Sequence, residues 1–375
     1  AGSGSSQGSA AARSQSQPAP RSSASFYGDG FWPKARAALP PIFKASARRP
    51  DPVTAMDRRL RAAESIGEFV AILSQGLPRF DTGNTVIALS CGAKLVDERT
   101  ISALLAYPEW DSLQSQVLRC ADSLEPRGLS MVGYSAAKLS WRDERLLAVL
   151  AAAARHRAQS FGTTDIAKIC WAFAKFDFVE EAADFWAVME KEVELKVHQG
   201  KFIDVSMIAW SFGQVEQGGK AMFAAISKAA LSMMSELPAQ SLANIAWAFA
   251  RAGVQDAELF AAISERAKTV VPTFVEFDVT NLCWALARAD QVDFELLDTL
   301  ATHTVQADLV KRFTAQMTSY MAWAFAATKV AHVPLFEALA VFIAKHASVF
   351  ETKHVANCAW AYAAVDVRTP LALEA

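Results

Sequence analysis

Lys138, Lys175, Gln214, Arg251 and Arg288 recur at intervals of 37–39 residues. Asn244, Asn281 and Asn357 form a second periodic set, with Lys168 at an equivalent place. These residue types do particular chemistry with nucleic acids. A carboxamide donates to and accepts from a base edge, while a lysine or arginine neutralises a phosphate or stacks on a base. A row of such groups at constant period suits a ligand that is itself periodic. One helical unit per nucleotide is a known arrangement for single-stranded RNA. The candidate RNA contacts are therefore Lys138, Lys175, Asn244, Arg251, Asn281 and Arg288, with Lys168 and Asn357 in second rank. Two plainer readings stand beside this one: a solvated polar face, and an asparagine that serves a turn within the fold.

The elements that carry these side chains show in a tryptophan frame. Trp171, Trp210, Trp247, Trp284, Trp323 and Trp360 are separated by 39, 37, 37, 39 and 37 residues. Stepping back reaches Tyr134 and then Ile87, across an insertion that includes "YPEW", so eight copies are counted and the first two are degenerate. Terminal repeats are atypical because one side lacks a like neighbour. With the tryptophan as position 0, the asparagines stand at −3 and the cations at +4. These two positions lie about 20° apart around a helix, on one face. The +4 row reads Cys91, Lys138, Lys175, Gln214, Arg251, Arg288, Ala327 and Ala364. The −3 row reads Asn84, Met131, Lys168, Met207, Asn244, Asn281, Tyr320 and Asn357. The tryptophan is about 60° from the asparagine and has apolar neighbours, so it is assigned to the core.

Each unit reads as two helices. Asp165, Asp204, Ser241 and Asp278, six residues before the tryptophan, are expected N-caps of a first helix of about eleven residues. It is expected to stop near Asp177, Gly253 or Asp290. A second helix follows with apolar residues at i, i+3, i+4 and i+7, as in "DAELFAAISERAKTV" from Asp256. The first helix is apolar almost all round and must be covered on several sides. The fold class is therefore all-α: a right-handed α-solenoid of about eight helix-pair repeats of 37–39 residues. Residues 1–50 form a basic Ser/Ala/Pro-rich segment, a disordered tail or the remnant of a transit peptide, and 51–375 form the array.

Composition bounds the function. The chain carries a formal net charge of −2 and is 52% hydrophobic. The first fifty residues hold seven Lys/Arg and one acid, which leaves the remainder at −8. Contact with a polyanion in the array must come from local patterning. The five cysteines contain no CxxC pair, and the six histidines are dispersed. There is no glycine-rich phosphate loop and no HExxH. No catalytic residue, metal site, cofactor or small-molecule substrate is expected. The longest apolar run, Leu146 to Ala154, is far short of the roughly 20 residues that span a bilayer, so no membrane contact is expected.

The "ANIAWAFAR" and "TNLCWALAR" stretches, ending at Arg251 and Arg288, resemble the motifs of organellar helical-repeat proteins. These are the octotricopeptide and heptatricopeptide repeat families, the FAST kinase-like and RAP-domain proteins, and the repeat subunit of the RNA-editing substrate-binding complex. The resemblance covers roughly residues 60–367 and includes "SIGEFVAILSQGLPRFDTGNTVIALSCGAKL" from Ser65 to Leu95. It implies non-catalytic binding of organellar single-stranded RNA in transcript processing, editing, stability or ribosome assembly. The location it implies is the mitochondrial matrix, with the plastid as the alternative. Two departures stand out. The array is acidic, whereas many RNA-binding relatives are basic. The sequence ends at "LALEA", after the first helix of repeat eight, as a fragment would, leaving room for a RAP-type domain beyond it. The alternative function is a protein-binding scaffold within a ribonucleoprotein, which the acidic array favours.

Overall fold

A computed structural model describes residues 55–97 and 99–367. The segment 1–50 lies outside the described residues, as does 368–375. The chain forms successive helix pairs. They are α1 (Ala55–Ala62) with α2 (Ile66–Gly76), then α3 (Thr82–Leu95), the short α4 (Ile101–Leu105) and α5 (Pro108–Cys120). Next come α6 (Pro126–Lys138) with α7 (Glu144–Arg157), α8 (Thr163–Lys175) with α9 (Ala183–Lys196), and α10 (Phe202–Gln214) with α11 (Lys220–Ser232). The array continues through α12 (Ala239–Ala252) with α13 (Ala257–Val270), and α14 (Glu276–Arg288) with α15 (Phe294–Gln306). It closes with α16 (Ala315–Ala327), α17 (Val333–His346) and α18 (Thr352–Val365). No strand occurs among the described residues.

The packing is neighbour to neighbour. First helices stack in one row, α1–α3–α6–α8–α10–α12–α14–α16–α18, and second helices in another, α2–α5–α7–α9–α11–α13–α15–α17. This is the all-α solenoid the periodicity requires. The row of first helices has one more member than the motif count, because α1 precedes the copy at Ile87. The insertion is α4, and "YPEW" instead opens α5, a second helix.

Small side chains let the first helices approach closely. A Cβ on Gly213 of α10 would lie 2.7 Å from the Cα and 2.9 Å from the Cβ of Ala248 in α12. The second helices are amphipathic, and most run into a short 3₁₀ turn. The apolar residue after that turn, such as Phe161, Leu237 or Phe274, is buried beneath the pair.

Both ends of the first helices differ in detail from the sequence expectation. These helices are 13 or 14 residues long from α6 onward. The expected N-caps Asp165, Asp204, Ser241 and Asp278 lie instead at the third helical position. There the Asp204 carboxylate accepts from the Lys201 N–H at 3.1 Å. Each helix ends in the left-handed conformation two residues past +4: Ser140, Asp177, Glu216, Gly253, Asp290, Lys329 and Asp366.

Candidate nucleic-acid interface

Positions −7, −3, 0 and +4 of a first helix fall within a sector about 60° wide. Two contacts show that this stripe is one surface. Gln316 Nε2 donates to Tyr320 Oη at 3.5 Å, joining −7 to −3. The Arg251 guanidinium lies 5.6 Å over the Trp247 ring, joining +4 to 0.

The stripes of successive repeats abut. Ring centroids are 6.4 Å apart for Trp210–Trp247 and for Trp247–Trp284, and 6.1 Å apart for Trp284–Tyr320. Tyr134 and Trp171 form a similar pair at 5.0 Å. The contact of Trp284 with Tyr320 sets position −3 of one repeat against position 0 of the repeat before it. The asparagines therefore occupy the seam between first helices.

That placement buries two of the candidates. Asn244 and Asn281 are each 1% exposed and do not present a solvent-facing ladder beside the cations. The reason is axial. Position −3 lies mid-helix, where alanine-rich neighbours close over it, whereas +4 is at or next to the last helical residue. Asn357, on the last described helix, is half-buried. Lys168 is half-buried too; desolvation pulls its pKa down, against the opposing pull of Asp165 and Asp204. Asn84 donates to the Asp57 carboxylate at 2.7 Å. The Asn244 amide nitrogen is enclosed and has no acceptor.

The cations keep to the rim. Lys138 and Arg288 are exposed, while Lys175 and Arg251 are half-buried. Gln214, which continues the row, is buried. Sequence reasoning missed what the left-handed turn residues do to this row. Glu216, one such residue, pairs with Arg251 of the next repeat at 3.0 Å. The acids at +6 were legible as turn residues; their reach into the following repeat was not. Gly253 holds the corresponding place before Arg288, and Arg288 has no ion pair among the described residues. Cations at helix C-termini also complement the helix dipole.

The opposite edge is acidic and hydrophobic. Burial pushes the Asp278 carboxyl up to about 7, against a long hydrogen bond from the Val275 N–H at 3.4 Å. Burial also raises Asp204, although the Lys201 N–H and the Thr164 hydroxyl both donate to it. Ser130 Oγ donates to Asp165 at 2.7 Å, bridging α6 and α8. This edge works as inter-repeat cement. Among the described residues no cluster of His, Cys, Asp and Glu could hold a metal ion, and no helix is long and apolar enough to cross a membrane.

No curated protein matches the chain. Residues 188–370, from within α9 to just past α18 and just under half of the chain, match the family model of the RNA-editing substrate-binding complex 6 protein.

Proposed function

We propose that this chain is a non-catalytic, RNA-binding subunit of an RNA-editing substrate-binding assembly in the mitochondrion. One observation carries the RNA reading: Lys138, Lys175, Arg251 and Arg288 project from the C-terminal ends of first helices along a single rim. A strand laid along that rim meets a cation at four of the five repeats from α6 to α14, and so a phosphate-neutralising group at recurring intervals. The match over residues 188–370 supports the assembly.

The test is reversal of Lys175, Arg251 and Arg288 to Glu in the full chain. The expected result is a large loss of affinity for a single-stranded RNA pool, with the fold intact by circular dichroism. Each lost phosphate contact on a single strand removes about 0.7 from the slope of log affinity against log salt, so three remove about 2. Unchanged affinity and slope would overturn the rim as the contact surface. A second reading, a protein-binding scaffold in the same assembly, is favoured by the Arg251–Glu216 pair and by Asp177 and Asp290 at equivalent turns, which offset the rim's charge. Pull-down of the other subunits by the triple variant as well as by the wild type would support it.

A further inference from the structure

We propose that Asn244 determines RNA specificity by reading the edge of a base admitted to the seam between α10 and α12. The inference rests on the RNA reading above and deepens it, since rim cations alone position a strand without reading sequence.

Asn244 is 1% exposed and its amide nitrogen has no acceptor in the protein. Buried polar groups are almost always bonded, so an exception calls for a cause. Asn357, at the same position in α18, also has an enclosed amide nitrogen without an acceptor, but the position does not demand an amide. Met207 stands there in α10 and is buried without any polar group to satisfy. The fold accepts a thioether at this point, yet α12 keeps an amide whose nitrogen nothing in the protein bonds.

The surroundings point to the ligand. The same stripe of the same two helices holds two more buried atoms without partners, Gln214 Oε1 and Arg251 Nε. Such a set offers donors and an acceptor, and a base edge offers both in return. Trp210 and Trp247, stacked with centroids 6.4 Å apart, join α10 to α12 on the same stripe. Arg251, over Trp247, stands at the rim where the phosphate would lie. Asn244 is buried, and burial strengthens a hydrogen bond once made.

Reaching Asn244 requires the helices to part at mid-length. They are pinned at two levels: Gly213 against Ala248, and Ser241 Oγ donating to Ser206 Oγ at 3.2 Å. Asn244 lies between these levels.

The test compares Asn244→Met with wild type and with the rim triple variant, all as full chains, on RNA selected from a random pool. Asn244→Leu serves as a second variant should the thioether pack badly. The expected result is a melting temperature equal to or above wild type and affinity reduced about tenfold or more. Preference should relax at one nucleotide, and the salt slope should stay unchanged because no phosphate contact is lost. A lower melting temperature in both variants makes Asn244 a structural residue and overturns the proposal. Unchanged affinity and preference in Asn244→Met, alongside weakened binding in the rim variant, overturns it while leaving the RNA reading intact. If wild type binds no better than the rim variant, the RNA reading fails and this inference fails with it.

Discussion

The seam between α1 and α3 and the seam between α10 and α12 solve one packing problem in two ways. In the first, Asn84, at the third position of α3, meets a buried aspartate, Asp57, across a 2.7 Å hydrogen bond. In the second, Asn244, at mid-helix in α12, is buried and its amide nitrogen stays unbonded. The terminal seam is held by a polar pair. The central one is held by close approach, with Gly213 lying directly against Ala248. One asparagine thus does structural work at one end of the array, while another is kept at a cost in its middle. A feature kept at a cost to stability is a mark of function.

The sharpest way to break this contrast is Gly213→Leu. The side chain would have to displace backbone as well as side chain of α12, and a loss of about 3 kcal/mol or more is expected in urea unfolding. Gly67→Ala, in open space on α2, is the matched control and should be neutral or slightly stabilising.

The second comparison is between buried carboxylates. Asp278 has only a long bond from a backbone N–H, and its carboxyl is raised to about 7 by burial. Its folded pKa lies above the unfolded value, so its contribution to stability is complete below pH ~4 and is lost as pH rises through about 7. Asp278→Asn should remove that loss. The variant should exceed wild type by roughly 4 kcal/mol at pH 8 and match it near pH 4, as read from urea midpoints across that range.

The third is Asn84→Leu, which removes the hydrogen bond that Asn84 donates to the buried Asp57. A destabilisation of about 2 kcal/mol is expected, opposite in sign to the effect expected at Asn244. Equal effects at the two sites would erase the distinction between the seams.

Much of the architecture was legible because a solenoid writes its period into the chain. The tryptophan frame located every first helix from α6 to α18, and the turn residues at +6 marked where those helices stop. Legibility failed along the helix axis. Angular position follows from counting residues, and counting placed −3 and +4 on one face correctly. Exposure depends also on how near a residue lies to the end of its helix and how closely the neighbours press. Asn244 and Asn281 are mid-helix among alanines and are covered; Arg288 is terminal and is not. The same limit hid α1, which lacks the motif, and the Arg251–Glu216 pair, which joins residues of two different repeats. The N-terminal aspartates were read one role away from their place, because the first turn accepts a carboxylate at the third position as readily as at the cap.

The neighbour-only stacking of the rows also sets how the chain acquires its structure. Every stabilising contact links residues within one or two repeats of each other, so little loop entropy is lost before contacts form. Folding can begin wherever two adjacent pairs dock and then spread in both directions, one repeat at a time. Each interior repeat has two neighbours to hold it and an outermost one has one. Opening therefore starts at the ends and moves inward, and the α10–α12 seam, in the interior of the array, is among the last to lose its order.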